Sequence, residues 1–226
     1  MPAPLSIVIP TLNAANCLGQ VAACLMEGLN DGLVRELVVS DGGSDDATVA
    51  MAERLGARIV TGASGRGGQL RRGADAAKGD WMLFLHADTQ LSPGWSVVVA
   101  DHIQAQGQAG YFRLQFNASG FRPWLFAAGA NVRARLGLPY GDQGLLISRD
   151  LYDQVGGYAD IVLMEDVAMA KALRGQMCML KAQAVTDASR YQNGGWYRRG
   201  VRNVWTLLRY QFGAAPQKLA RSYNRF

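Results

Sequence analysis

Four short apolar runs in the first part of this chain constrain its fold more than any other feature. They are Leu5-Ser6-Ile7-Val8-Ile9, Leu37-Val38-Val39-Ser40, Arg58-Ile59-Val60 and Trp81 to Leu85. Each is closed by a proline, an acidic turn or a glycine-rich loop. Between the first two lies a segment of helical period, Ala15 to Met26, with Leu18, Val21, Ala22 and Leu25 on one face and Asn13 placed to cap it. A second helix is expected over Ala47 to Leu55, and a third runs from the Gly62–Gly68 loop through Ala77. Such a β-α-β-α-β-α-β alternation predicts an α/β fold, with a mostly parallel sheet flanked by helices on both faces.

The second half is less regular. Helices are expected over Trp95 to Gln104, Phe121 to Leu136 and Asp166 to Arg174. Ala109 to Phe116 alternates like an edge or antiparallel strand, and Gly144 to Ile147 and Met177 to Leu180 read as short strands. Trp196 to Phe212 is amphipathic and basic. From Arg190 to Phe226 the chain carries seven arginines and one lysine and no acid, against a net charge of +5 for all 226 residues. This divides the chain into a domain at residues 1–189 and a basic, helical extension at 190–226 packed on it.

The chain enters its first strand with no basic segment and long apolar run ahead of it, so a secretory signal is not expected. No stretch approaches the roughly 18 uninterrupted apolar residues of a membrane span. Three cysteines, Cys17, Cys24 and Cys178, form no metal pattern, and their odd number fits free thiols in a reducing compartment. A cytoplasmic protein is expected, with peripheral contact at the inner membrane face as a further option.

The chemistry-bearing residues cluster at strand ends, where open α/β sheets place their ligands. Leu83-Phe84-Leu85-His86-Ala87-Asp88-Thr89 runs an apolar strand into a carboxylate. A hard divalent cation held there would neutralise a diphosphate. Pro10, Thr11 and Asn13 follow the first strand and Asp41 the second. A dinucleotide enzyme would carry Gly-x-Gly-x-x-Gly after its first strand, and Pro10-Thr11-Leu12-Asn13-Ala14-Ala15 is not that turn.

Taken in order, Ser6-Ile7-Val8-Ile9-Pro10-Thr11-Leu12-Asn13, Val38-Val39-Ser40-Asp41-Gly42-Gly43-Ser44-Asp45-Asp46-Ala47-Thr48, Ala77-Lys78-Gly79-Asp80-Trp81 and Phe84-Leu85-His86-Ala87-Asp88 resemble the family 2 glycosyltransferases of the GT-A fold. The resemblance covers about Leu5 to Gly175. The phrase Arg66-Gly67-Gly68-Gln69-Leu70-Arg71-Arg72-Gly73-Ala74 with His86-Ala87-Asp88-Thr89 is similar to a small bacterial subgroup of that family. It implies a GT-A fold and inverting, metal-assisted transfer of a sugar from a nucleoside-diphosphate sugar to a hydroxyl acceptor.

It also implies roles by position. Thr11, Asn13 and Asp41, with Pro10 beside them, would hold base and ribose. Asp46 and Thr48 would order that turn or simply cap the next helix. Arg71 matches a basic residue near the diphosphate, or is a solvated charge. Gly65, Gly67 and Gly68 would let backbone approach the donor, or form a surface loop. The family usually shows Asp-x-Asp where this chain has His86-Ala87-Asp88. Asp88 keeps the metal-binding place for Mn²⁺ or Mg²⁺, and His86 and Ala87 would face the donor. Met164-Glu165-Asp166 resembles the family's acidic pair at a helix start, with Asp166 as general base and Glu165 orienting; the bland reading is a helix cap. Asp142 and Gln143 would face the acceptor or sugar, and Gly156-Gly157-Tyr158 resembles the loop before the base.

For the extension three readings stay open. It closes over the donor phosphates, lies on an anionic membrane, or packs on the core or a second subunit to give a homodimer. Nucleic acid is not expected, since basic charge with aromatics is not by itself a binding fold. Two other functions compete. A nucleotidyltransferase would carry a glycine-rich loop after the first strand, which is absent. A non-catalytic nucleotide-sugar binding or regulatory protein stays open because of His86.

Overall fold

A computed structural model of the chain describes residues 3–223. Its first half is β1 (Leu5–Thr11), α1 (Ala15–Asn30), β2 (Val34–Asp41), α2 (Thr48–Arg54), β3 (Arg58–Thr61), α3 (Arg66–Ala76), β4 (Trp81–Phe84), β5 (Thr89–Leu91) and α4 (Trp95–Gln104). Its second half is β6 (Ala109–Phe116), α5 (Phe121–Arg135), a 3₁₀ turn at Gly141–Gln143, β7 (Leu145–Ser148), α6 (Arg149–Gln154), α7 (Glu165–Ala172), β8 (Met177–Thr186), α8 (Ser189–Gly194), α9 (Trp196–Gln211) and α10 (Pro216–Tyr223).

All eight strands join one sheet in the order β3-β2-β1-β4-β7-β6-β8-β5. The first four run parallel, and β7 and β5 run against their neighbours. β1 therefore lies between β2 and β4, which brings three carboxyl ends side by side. Its run is apolar on both faces because both are covered. On one face Leu5, Ile7 and Ile9 pack with Leu18, Val21, Leu25 and Trp95 from α1 and α4. On the other, Val8, Met82, Phe84 and Ile147 pack with Leu70 and Ala74 of α3 and Met169 and Leu173 at α7. Gly73 lets α3 come this close: a Cβ there would stand 2.3 Å from the Val8 Cγ1.

Several expectations change. The strand at Ala109–Phe116 is not an edge. It pairs antiparallel with β7 and parallel with β8, and the edges are β3 and β5. The alternation reflects the shorter cover on that side, where Arg113 and Gln115 reach solvent. Strand β8 runs past Leu180 to Thr186, with its register against β6 shifting between Tyr111 and Arg113. Strand β5, three residues long, carries too little pattern to be seen. Asn13 does not cap α1. The cap is Ala14, and its amide and that of Ala15 are taken by Thr48 and Asp46 from the next turn.

The C-terminal helices fold back on the domain. Trp196 is buried against Phe116, Phe126 and Tyr191. Leu219 of α10 is fully enclosed with Met164 and Val167. Arg225 and Phe226, counted in the basic extension, lie outside the described residues. Among the described residues no helix is long and apolar enough to cross a membrane.

Candidate active site

The register of β1 on β2 sets Thr11 beside Asp41, and the loops after them are stitched together. Thr11 Oγ1 donates to Asp41 Oδ1 at 2.9 Å, and the Ser44 hydroxyl donates to the same oxygen at 2.6 Å. Asp41 Oδ2 accepts from the amides of Gly43 and Ser44, both at 2.8 Å. Burial at 1 % exposure would raise this carboxyl's pKa, but the bonds from Ser44, Thr11 and Gly43 outweigh it and hold the pKa below the usual range. Asn13, at φ 52°, donates its amide to Ser44 Oγ and accepts from the Asp45 amide at 3.0 Å. Asp46 accepts from the Ala15 and Thr48 amides and from the Thr48 hydroxyl. Its role in ordering the turn and its role as a cap are one and the same. Pro10 stands half-buried at the end of β1.

Gln69 was not expected here. From α3 its Nε2 donates to the carbonyls of Thr11 (2.7 Å) and Ser40 (2.9 Å), tying both strand ends to one side chain. A glutamine inside a glycine-rich phrase gave the only hint. Gly68, expected to admit a ligand, instead admits protein: a Cβ there would stand 2.7 Å from Asp160 Oδ1, and one at Gly67 would stand 2.2 Å from the Ala159 carbonyl. The phrase is also helical from Arg66 onward rather than a loop.

At the end of β4, His86, Ala87 and Asp88 are each half-buried. A Cβ at Gly141 would stand 2.4 Å from His86 Nε2 and 2.9 Å from Cε1, so the imidazole turns its Nε2 edge towards Gly141. Burial, with Arg66 and Arg190 nearby, pulls the His86 pKa down to about 3 against the pull of Asp88. Ala87 packs on the core. Asp88 faces Arg190 of α8, whose guanidinium stands 3.8 Å from Oδ2.

The acidic pair opens α7. Met164 before it takes a left-handed backbone at φ 70°, which aims the first turn inward. Glu165 is 2 % exposed, and Arg66 stands 3.9 Å from its Oε1 while Oε2 has no partner. Burial, then the charge of Asp166, push its pKa up to about 7 against the pull of Arg66. Asp166 is more accessible. Its Oδ2 accepts from the Gly141 amide at 3.0 Å and its Oδ1 from the amide of Val167. Asp142 lies on the 3₁₀ turn with a buried Oδ1 that has no partner. Burial raises its pKa to about 6, with Asp166 and Asp88 adding and Arg133 and Arg66 opposing.

The geometry thus gathers His86, Asp88, Asp142, Glu165 and Asp166 around Gly141, with Arg66 and Arg190 as their cations. Two expected members fall outside. Gln143 is fully buried and committed to structure: Nε2 donates to the Phe112 carbonyl and Asn131, and Oε1 accepts from the Tyr140 amide. Arg71 stands exposed on α3 near the Tyr152 phenol. The arginine that reaches the acids is Arg66, five positions earlier at the first turn of the same helix. Sequence alone does not say which arginine of the phrase turns inward.

A family model described as "Glycosyl transferase family 2" matches residues 6–154, about two thirds of the chain. The chain belongs to glycosyl transferase family 2. A PGL/p-HBAD biosynthesis glycosyltransferase of Mycobacterium tuberculosis is 41 % identical over 105 residues, covering 40 % of this chain and 38 % of that protein. A glucosyl-3-phosphoglycerate synthase of Mycolicibacterium paratuberculosis is 36 % identical over 93 residues, covering 37 % and 28 %. The chain spans well under half the length of these relatives. Among solved structures, the M. tuberculosis glucosyl-3-phosphoglycerate synthase with Mn²⁺, uridine diphosphate and phosphoglyceric acid superposes with a TM-score of 0.58 at 23 % identity, over 78 % of this chain and 67 % of that one. TarS 1–349 of S. aureus with UDP-GlcNAc superposes with a TM-score of 0.62 at 16 % identity, over 81 % and 58 %. Both establish the GT-A fold.

Proposed function

We propose that the chain transfers a sugar, with inversion, from a uridine-diphosphate sugar to a hydroxyl acceptor, assisted by Mn²⁺ or Mg²⁺. The observation that carries this reading is the meeting of Asp166 with the His86–Asp88 strand end across Gly141. On this reading Asp166 serves as the base and Asp88 as the cation's carboxylate. The solved relatives that hold uridine diphosphate with Mn²⁺ or Mg²⁺ support the donor and the metal.

The residues fit such an ion. His86 offers a neutral imidazole and Asp88 a carboxylate. Among the described residues no group of three His, Cys, Asp or Glu could hold a metal by itself. Donor phosphate oxygens and water would complete the set around such an ion. When bound, the cation supplies neutralisation of the diphosphate as it leaves.

The chain's own residues do the rest. Thr11, Asn13 and Asp41 shape the base and ribose end. Arg66 and Arg190 hold positive charge where the diphosphate lies. Asp166 takes the proton from the acceptor hydroxyl as that oxygen attacks the anomeric carbon, and the Gly141 amide on Oδ2 fixes its orientation. Glu165 orients Arg66, and Asp142 meets an acceptor or sugar hydroxyl with its unpartnered oxygen. Residues 1–189 form the transferase domain, and 190–226 are an extension that supplies Arg190. The reaction belongs in the cytoplasm, which the three free thiols favour.

Release of uridine diphosphate from a uridine-diphosphate sugar, with Mn²⁺ and a panel of hydroxyl acceptors, tests the reading. Tight nucleotide binding with no release under any acceptor would favour the non-catalytic binding protein.

A further inference from the structure

One surface stays unexplained by the transferase reading. Helix α9 carries Tyr197, Val201, Val204, Trp205 and Leu208 along one stripe at helical spacing, which Phe212 extends at the C-cap. They are 39–88 % exposed, Phe212 most of all. The stripe continues onto α5. There Phe126 packs on Gly200 and Tyr197, and Phe121, Trp124 and Leu125 stand exposed beside it. An apolar groove lined by Phe126, Tyr197, Val201, Val204, Trp205 and Leu208 runs between the two helices. A patch this broad marks a partner, because soluble proteins rarely leave one open.

The charges flanking it say which partner. Of the arginines on these helices, Arg122, Arg135 and Arg198 are exposed, Arg122 lying 5.9 Å over the Tyr197 ring, and neither helix contains an aspartate or glutamate. A second copy would have to meet the same patch about a two-fold axis, setting arginines against arginines with no acid from these helices to answer them. A surface of lipid phosphates answers them at every position. Tryptophan and tyrosine on the apolar stripe are the residues that settle at a lipid–water boundary.

We propose that the α5–α9 face docks the protein on an anionic lipid bilayer, with Trp124, Trp205 and Phe212 entering the headgroup layer and the flanking arginines pairing with phosphate. This does not depend on the transferase activity.

Flotation of the full chain with vesicles tests it, comparing phosphatidylcholine alone with phosphatidylcholine containing phosphatidylglycerol. Binding is expected to the anionic vesicles only and to fall at high salt. Trp205→Ser with Phe212→Ser should weaken it by roughly tenfold or more, since each removes a large apolar group from the docked face. Both sites are exposed, so thermal unfolding and uridine-diphosphate affinity should stay at wild-type values. Failure of the transferase reading would show in nucleotide release and leave flotation untouched. Equal recovery on both vesicle types, or a double variant that floats like wild type, overturns the proposal. So does a wild-type dimer that the double variant dissolves, which would give the face to a second copy.

Discussion

Arg190 holds its guanidinium 3.8 Å from the Asp88 carboxylate, so an element of the C-terminal extension reaches the end of β4. On the proposed reading, the assisting cation and this arginine address the same carboxylate. Removing the arginine should therefore favour the metal on the free protein. The pair is partly solvated, with Arg190 59 % and Asp88 27 % exposed, so the gain is small. Arg190→Ala should tighten Mn²⁺ binding by up to roughly fivefold, the upper end for an exposed ion pair. It should slow transfer, because positive charge near the diphosphate is lost. Titration calorimetry with Mn²⁺ alone checks the first part. Asp88→Asn should abolish the metal's effect on uridine-diphosphate affinity.

Asp166→Asn should lower transfer by about 10²–10⁴-fold, the usual contribution of a general base, while donor and metal affinity stay near normal. Glu165→Gln should act more mildly. Single-turnover assays with saturating donor separate the two. If Glu165→Gln abolishes transfer and Asp166→Asn does not, their roles are exchanged.

The buried Glu165 also makes stability depend on pH. Its folded pKa is raised to about 7, by burial and by Asp166, from an ordinary value of 4.5. A raised carboxyl binds its proton more tightly folded than unfolded. Its contribution is thus full below pH 4.5 and is lost as pH rises to about 7. The facing groups are Asp166, which pushes in the same direction, and Arg66, which opposes it. The loss is on the order of 3 kcal/mol. Glu165→Gln should flatten this limb and leave the variant the more stable one above pH 7. Thermal unfolding from pH 4 to pH 8 decides; parallel curves for the two proteins would contradict it.

Asp41→Ala removes four hydrogen bonds at once, leaving the Gly43 and Ser44 amides and the Thr11 hydroxyl without their acceptor. A buried donor left unpaired costs about 1–3 kcal/mol. Unfolding stability should fall by at least that much, and uridine-diphosphate affinity should weaken with it as the two loops part. Chemical denaturation and nucleotide titration on the same sample check both. Unchanged stability would show that the loops hold without the carboxylate.

Gly67→Ala should disturb the site without touching it. The added carbon would stand 2.2 Å from the Ala159 carbonyl, a backbone atom that cannot swing aside. Helix α3 must shift, taking Arg66 away from Glu165. Overpacking of this kind costs about 1–3 kcal/mol. Reduced transfer with a lowered melting temperature is expected; a wild-type melting temperature would refute the close approach.

The parallel half of this fold was legible because each buried strand writes itself as an unbroken apolar run ending in a turn residue. Thr11, Asp41, Asp88 and Asp166 were visible for the same reason: each follows or opens a regular element. What stayed hidden depends on distance in space. Arg66 and Arg71 lie on one helix with identical chemistry, and only the packing of α3 against Ala159–Ile161 selects the first. Gln143 looks like a hydroxyl binder beside Asp142, yet the 3₁₀ turn points it at the Phe112 carbonyl inside. Arg190 lies 102 positions from Asp88, a contact set by the run of β8 to Thr186 rather than by local pattern.

Leu219 of α10 fills the space against Met164 and Val167, on either side of the acidic pair. The chain is made from its N-terminus, so the strand ends that shape the nucleotide site are complete long before this leucine leaves the ribosome. The turn carrying Glu165 and Asp166 acquires this support only after α10 has followed it. On the proposed reading, a growing chain can therefore form the donor end of its site before the turn that holds the base is braced.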